Sequence, residues 1–254
     1  GRGGGQGAAA GAARRTAEPR RGTQAQGQAD EVAVTKLAIF DCDGTLVDSG
    51  GAIARALHLT FDEHGLEVPP PHVSKRVIGL SLTEAMAGLV PDAAPHEHDH
   101  LAERYKQHFS GMRAAGEVRE PLFPGILDLL DALEDDGWSL AVATGKSDRG
   151  LRHCLEAHGI HSRFVSLQTA DRHPSKPHPS MIEQALAEAG AAPADCLMIG
   201  DTSYDIQMAL AAGTVPVGVA WGYHDAAELS AAGAAIVADE PGQVLAFARE
   251  QWNG

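Results

Sequence analysis

The chain has 254 residues, a formal net charge of −14 and 5% aromatic residues. So acidic a balance argues against binding to nucleic acid or to an anionic membrane surface, because both are negatively charged themselves. No apolar run is long enough to cross a bilayer without interruption by Gly or Pro, and the three cysteines have neither disulfide nor metal-ligand spacing. These features predict a protein of the reducing cytoplasm and give no indication of its oligomeric state.

The N-terminal segment differs in composition from the rest of the chain. Of residues 1–30, 16 are Gly or Ala, and most of the others are Arg and Gln. Such a segment cannot bury enough apolar surface to offset the entropy of ordering it. A transit peptide would also be Arg-rich and acid-poor, but this segment has no Ser. We expect residues 1–33 to be a disordered tail, which leaves about 220 residues for one large core and a smaller lobe.

The first predicted strand ends in two acids. Leu37–Phe40 form a continuous apolar run, typical of a strand that is buried on both faces. Asp41 and Asp43 follow it directly and, by the alternation of a strand, lie on the same side. Two carboxylates at this spacing repel each other unless a cation or a shared proton relieves them. The end of this strand is therefore a candidate site of chemistry.

Residues 49–119 show helical periodicity and no strand pattern, so we expect an all-helical cap domain inserted after the first strand. The run His96–His100 has the composition of a metal site. Its spacing matches no ligand signature, and the start of a solvated cap helix explains it better.

The second half of the chain alternates between helices and strands. A helix is expected from Pro124 to Gly137. Strands are expected at Ser139–Thr144, Phe164–Leu167, Cys196–Gly200, Val215–Ala220 and Ala235–Ala238, and a helix is expected between each strand and the next. Such alternation requires a parallel sheet with crossover helices. The expected fold is α/β: a doubly wound, Rossmann-like core of residues 34–48 and 120–254, interrupted by the helical cap.

Polar residues collect where the predicted strands end, the edge at which open α/β sheets bind ligands. Besides Asp41 and Asp43, these are Thr144, Lys176, Asp201 and Asp205, with Gly145 and Lys146 directly after Thr144. Taken singly, Thr144 could be only a helix cap, Lys176 a surface charge and Asp205 part of a first helical turn. Their common position at one edge favours a shared site.

Four motifs in this order carry a family resemblance. They are DCDGTLVDS at 41–49, Thr144, Lys176 within KPHP, and GDTSYD at 200–205. The chain resembles the haloacid dehalogenase (HAD) superfamily, subfamily IA, and within it the phosphoglycolate phosphatase-like enzymes. The resemblance covers residues 35 to about 238. Gly145-Lys146 replaces the Asn-Lys that relatives often have.

The resemblance implies a Mg²⁺-dependent phosphatase with an aspartyl-phosphate intermediate. Asp41 would be the nucleophile and Asp43 the general acid and base. The implied metal ligands are the carboxylates of Asp41 and Asp201 and the main-chain carbonyl of Asp43, with Asp205 orienting Lys176 or a metal-bound water.

The same resemblance assigns phosphate binding to Thr144, Gly145 and Lys176, which would stabilise charge as it develops in the transition state. The cap would close over the site and recognise the remainder of the substrate. Candidate cap contacts, chosen by position, are Arg76, Ser81 and Thr83.

Related activities fit these residues less well. Haloacid dehalogenases proper and phosphonoacetaldehyde hydrolases lack an acid at the position of Asp43. A β-phosphoglucomutase-like enzyme would have an arginine in the cap stretch Gly79–Leu82, and a P-loop would need glycine at Leu140. A mutase-like sugar-phosphate enzyme and a catalytically idle binding protein stay open as alternatives. The expected substrate is a small phosphomonoester, nominally phosphoglycolate, with sugar phosphates, nucleotides and pyrophosphate also possible substrates.

Overall fold

The computed structural model describes residues 35–252, so the predicted disordered tail lies outside the described range. Six strands form one parallel sheet: Lys36–Phe40 (β1), Trp138–Thr144 (β2), Phe164–Thr169 (β3), Cys196–Gly200 (β4), Val215–Val219 (β5) and Ile236–Ala238 (β6). Their order is β3-β2-β1-β4-β5-β6, which places β1 between β2 and β4. The expected α/β fold with a doubly wound parallel sheet is confirmed.

The described part of the chain also contains ten α-helices. They are Gly50–Glu63 (α1), Pro71–Lys75 (α2), Leu82–Leu89 (α3), Pro95–Ala114 (α4), Ile126–Asp135 (α5), Asp148–Ala157 (α6), Ser180–Ala189 (α7), Ser203–Ala212 (α8), Ala226–Ala232 (α9) and Pro241–Trp252 (α10). All belong to one compact unit of the chain. Within residues 35–252, none of these helices has the length and apolar character that crossing a bilayer demands.

The sheet has a hydrophobic cluster on each face. Ala38 and Phe40 of β1 contribute to the cluster that includes side chains of α5, α6 and α10, whereas Leu37 and Ile39 contribute to the cluster with α7 and α8. Successive side chains of a strand point to opposite faces, so a strand covered on both sides must be apolar at every position. The unbroken run at 37–40 follows from this double burial.

Helices α1 to α4 all lie between β1 and β2 in the chain and have a hydrophobic cluster of their own. Its largest members are Leu57 and Phe61 of α1, Met86 of α3, and Leu101 and Tyr105 of α4. A separate cluster is what an inserted cap domain needs, because each domain buries its own apolar surface. The exact limits of core and cap stay a prediction.

Helices α5 and α10 differ from the sequence prediction in ways that the backbone and the packing explain. Helix α5 begins at Ile126 rather than Pro124, because Gly125 adopts a left-handed conformation (φ 83°) that turns the chain before the helix starts. The C-terminal helix α10 was not predicted. It packs against the sheet cluster through Val244 and Ala248, a burial that its local sequence pattern does not reveal.

Candidate active site

The order of the strands brings the predicted acids together. Asp41 directly follows β1 and Asp201 directly follows β4, its neighbour in the sheet. The amide of Asp41 donates to the carbonyl of Ile199 at 2.9 Å, which continues the pairing of the two strands to their ends. Parallel strands end at a common edge, so the two carboxylates become neighbours.

Three carboxylates and one ammonium group form a fully buried cluster. Carboxylate oxygens of Asp41, Asp201 and Asp205 lie within 4.8 Å of one another. The Lys176 ammonium lies 3.0 Å from Oδ1 of Asp41 and 2.6 Å from Oδ1 of Asp205. When all four groups are ionised, the cluster carries two uncompensated negative charges.

Burial at the cluster disfavours the charged form of its acids. It raises the pKa of Asp41 to about 7, with Asp205 and Asp43 adding to the effect and the Lys176 ammonium opposing it. Burial also raises the pKa of Asp201 well above its usual range. For Lys176, the carboxylates of Asp205 and Asp41 outweigh burial and raise the pKa of the ammonium. The acids therefore need a bound proton or a further cation.

The arrangement of oxygen atoms fits a hard divalent cation. Oδ2 of Asp41 is buried and has no hydrogen-bond partner within residues 35–252. The carboxylate of Asp201 is oriented by the Thr45 hydroxyl, which donates at 2.8 Å, and by the Tyr223 amide at 2.9 Å. Mg²⁺ prefers oxygen ligands and would balance the two excess negative charges. Asp41 and Asp201 are thus able to hold it.

Two glycines bring the backbone into close contact with Asp201. A Cβ atom on Gly44 would lie 2.2 Å from Oδ2 of Asp201, and one on Gly222 would lie 2.3 Å from the same oxygen. Gly44 also has a positive φ of 85°, which favours glycine independently. The loop after β1 and the loop after β5 are therefore shaped around this carboxylate.

Asp43 belongs to a second set of charges. Its Oδ1 lies 2.9 Å from the Lys146 ammonium and accepts a hydrogen bond from the Ser49 hydroxyl. Lys146 also contacts Oε1 of Glu120 at 2.7 Å, and Oε2 of Glu120 lies 2.7 Å from Arg113 on α4. Neither Lys146 nor Glu120 is among the predicted site residues. Lys146 stands next to the predicted phosphate-binding residues, which was the available signal.

The predicted phosphate-binding residues lie at the same edge. Thr144 is the buried last residue of β2, and its hydroxyl accepts from the Lys146 amide at 3.4 Å. Gly145 lies against the cap backbone, since a Cβ atom there would be 2.4 Å from the carbonyl oxygen of Leu80. Their role in phosphate binding stays a prediction.

Within residues 35–252, none of the three candidate cap contacts forms a hydrogen bond or an ion pair with the acidic cluster. Arg76 is exposed and forms an ion pair with Glu228 at 2.6 Å. Ser81 caps the N-terminus of α3, and the hydroxyl of Thr83 donates to Asp99 at 3.0 Å. Each has a structural partner, and a role in substrate contact stays a prediction.

Comparisons with known proteins identify the family of this chain. The haloacid dehalogenase-like hydrolase family model matches residues 38–219. A Dickeya dadantii relative named "Probable phosphatase IndB" is 34% identical over 84% of this chain and 93% of its own. A phosphoglycolate phosphatase from Aliivibrio fischeri is 30% identical over 83% of this chain and 95% of its own.

A solved structure with the same family description is similar to this chain. A haloacid dehalogenase-like hydrolase from Bacteroides fragilis has a TM-score of 0.76 at 25% identity and covers 83% of this chain and 99% of its own. The predicted resemblance is confirmed, since the family model spans well over half of the chain. The chain belongs to the haloacid dehalogenase-like hydrolases, in the phosphoglycolate phosphatase-like branch, and is a phosphoric monoester hydrolase.

Proposed function

We propose that this phosphatase hydrolyses small phosphomonoesters in a Mg²⁺-dependent reaction, through an aspartyl-phosphate on Asp41. The observation that carries the proposal is the buried cluster of Asp41, Asp201, Asp205 and Lys176, in which one oxygen of Asp41 lacks a partner within the described residues. Buried acids without compensation are destabilising, so their retention at one edge favours a role in binding a cation and a phosphate.

Asp41 is the proposed nucleophile. Its Oδ1 accepts from the Cys42 amide at 2.6 Å and contacts Lys176, which fixes the orientation of the carboxylate. Attack on phosphorus forms the bond between Asp41 and phosphate as the ester P–O bond breaks. A carboxylate needs no general base to become nucleophilic, unlike a serine hydroxyl.

Asp43 is the proposed general acid and base. It transfers a proton to the leaving alcohol oxygen and then takes one from the water that hydrolyses the aspartyl-phosphate. The Lys146 ammonium and the Ser49 hydroxyl hold its side chain to one side of the acidic cluster. That placement supports a role at the leaving oxygen rather than at the metal.

The other groups of the site would bind the cation or the phosphate oxygens. Bound Mg²⁺ would supply a positive charge that reduces the repulsion between phosphate and nucleophile. Asp41, Asp201 and the main-chain carbonyl of Asp43 would hold the ion, and Asp205 would orient Lys176, which it contacts at 2.6 Å. Lys176, Thr144 and the amide of Gly145 would bind the transferring oxygens.

Phosphoglycolate is the first substrate to assay, because the Aliivibrio fischeri relative carries that activity in its name. A cytoplasmic location is part of the proposal and rests on the reduced state expected of the cysteines, all of which are free in the structure. The cap helices would exclude bulk water from the aspartyl-phosphate once substrate is bound.

The test measures phosphate release from a panel of phosphomonoesters with Mg²⁺ and with EDTA. We expect release only with the metal, and loss of at least about 1,000-fold in Asp41→Asn. The matched control is Asp48→Asn, which removes an exposed carboxylate from the same loop. Beryllium fluoride with Mg²⁺ should raise the melting temperature of the wild type but not that of Asp41→Asn. Activity that survives in Asp41→Asn would contradict the proposal.

A further inference from the structure

A cavity of about 950 Å³ lies beside Asp43, between the cap helices and the C-terminal edge of the sheet. On the sheet side it is lined by Asp43, Gly145 and Lys146. Since Asp43 is the proposed proton donor to the leaving oxygen, the cavity lies on the side of the phosphate from which the alcohol departs. This inference therefore rests on the proposed function.

The cavity exists although cap and core are in contact. The carbonyl of Leu80 lies directly over Gly145, and the Ser81 amide donates to the Ser175 hydroxyl at 2.8 Å. The Tyr204 hydroxyl donates to the carbonyl of Arg76 at 2.9 Å. The cavity therefore keeps this volume while the cap is in contact with the core. It lies near the upper end of the range of about 300–1,000 Å³ that holds drug-sized ligands, far more than a two-carbon acid occupies.

Most of the residues that line the cap side of the cavity are apolar; the polar ones, Glu103, Lys106, Gln107, Ser110 and Arg113, belong to α4. Its wall is formed by side chains of α1, α3, α4 and the turn after α2, among them Ile53, Leu57, Val77, Leu82, Met86 and Phe109. The Lys146 ammonium lies 5.8 Å from the centre of the Phe109 ring, so the wall reaches the ion pair of Asp43. Binding an apolar group against this wall would remove its surface from water, which is favourable by about 25 cal/mol per Å² of buried surface.

The cations next to Asp43 are already neutralised. Lys146 contacts both Asp43 and Glu120, and Arg113 contacts Glu120. A carboxylate on the leaving group, as in phosphoglycolate, would have to compete with these acids for a partner. The exposed charges farther along the lining include both signs, with Lys106 and Arg149 against Glu103 and Asp171. The lining thus favours an uncharged apolar body over a second anion.

From the volume of the cavity, its apolar wall and the balance of its charges, we infer that the substrate is a phosphomonoester of a bulky, largely apolar alcohol. The alcohol part of the substrate fills this cavity while the phosphate lies at Asp41. The test compares kcat/KM with Mg²⁺ for ethyl phosphate, 2-phenylethyl phosphate and 2-(1-naphthyl)ethyl phosphate. All three release a primary alcohol, so differences report the binding of the body rather than the quality of the leaving group. Phosphoglycolate is assayed beside them.

We expect kcat/KM to rise at least about tenfold from ethyl to 2-phenylethyl phosphate, because burial of a ring contributes about 1.5–3 kcal/mol. The naphthyl ester should match or exceed the phenyl ester, and phosphoglycolate should rank with ethyl phosphate. If phosphoglycolate is the best substrate, and Mg²⁺ and Asp41 are still required, this inference is overturned and the proposed function stands. No Mg²⁺-dependent release from any of the four esters would overturn both.

A variant that narrows the cavity tests its location. Ala114 lines the cavity and is exposed near the end of α4, whereas its exposed neighbour Ala115 is not among the lining residues. Ala114→Phe should lower the ratio of kcat/KM for naphthylethyl over ethyl phosphate at least fivefold, and Ala115→Phe should leave that ratio unchanged. Ser110→Trp, one turn earlier on the same wall, repeats the test at a second site. An unchanged ratio in both narrowing variants would place the body elsewhere and overturn the inference.

Discussion

Lys146 and Asp43 form an ion pair of 2.9 Å that joins the loop after β2 to the loop after β1. The same ammonium lies 2.7 Å from Glu120, whose other oxygen contacts Arg113 of the cap helix α4. Burial lowers the pKa of the Lys146 ammonium, but the carboxylates of Asp43 and Glu120 are among the groups that outweigh it and raise the pKa. The proposed general acid is thereby connected to the cap by a chain of charges.

Lys146→Met should destabilise the protein and slow the reaction. Removing the cation leaves the buried Asp43 without its ion-pair partner and Glu120 with Arg113 alone. The cost is about 3 kcal/mol, which corresponds to a fall in Tm of about 6–12 °C. Thermal melts and kcat measure the two effects. Adding Glu120→Gln should restore part of the Tm, since one fewer buried carboxylate then lacks the Lys146 ammonium. Lys75→Met, at an exposed lysine of α2, is the control and should leave Tm unchanged.

Gly145→Ala should separate the cap from the core. The added methyl group would lie 2.4 Å from the carbonyl oxygen of Leu80 and 2.7 Å from that of Gly79, and backbone atoms cannot rotate away. A displacement of about 1 Å at an active site costs up to about 100-fold in rate, measured as kcat/KM. Gly51→Ala is the matched control, because nothing lies within 4 Å of its Cβ position on helix α1. An active Gly145→Ala variant would show that this contact is not needed.

Glu120 should stabilise the fold in a pH-dependent manner. Burial raises its pKa, but the ammonium of Lys146 and the guanidinium of Arg113 outweigh burial and lower it. A lowered pKa means that the stabilisation is present above the unfolded-state pKa of about 4.3 and is lost as the pH falls through the folded-state pKa. The difference in Tm between wild type and Glu120→Gln should therefore shrink from pH 7 towards about pH 3. For Glu117→Gln, at an exposed pair with Arg55, we expect a small difference at every pH.

Mg²⁺ should stabilise the protein more at pH 8 than at pH 6. The pKa of Asp41 is raised to about 7 by burial, so its contribution to metal-free stability is present at low pH and is lost as the pH rises through about 7. A bound cation requires the carboxylate, and below pH 7 its apparent affinity should fall about tenfold per pH unit for one displaced proton. Melts at both pH values, with and without Mg²⁺, measure this effect.

The Asp41→Asn variant tests whether the Asp41 carboxyl causes the pH dependence of the Mg²⁺ effect. It should raise the metal-free Tm at pH 8, because a neutral amide replaces a buried charge. It should also remove most of the pH dependence of the Mg²⁺ effect. A wild-type Mg²⁺ effect that is equal at pH 6 and pH 8 would contradict the raised pKa of Asp41.

The amino-acid sequence predicts the strands and the edge of the sheet at which the acids lie. Leu37–Phe40 are apolar without interruption because β1 is covered on both faces, and parallel strands end at the same edge. The proximity of Asp41 and Asp201 also requires that β4 lies next to β1, which the strand order shows. Lys176 is predicted at the same edge from its place in the chain, in a proline-rich loop, and the family resemblance adds its role.

Contacts between side chains of different elements depend on the packing of the whole fold. The chain of charges from Arg113 through Glu120 and Lys146 to Asp43 joins a cap helix to two loops of the core. The sulfur atoms of Cys42 and Cys154 lie 3.9 Å apart although 112 positions separate them in the sequence. Such contacts depend on where α4 lies relative to the loops of the core and on how α6 packs onto the sheet. Periodicity identifies the buried face of an element but not its neighbour, so neither contact is encoded in a local pattern.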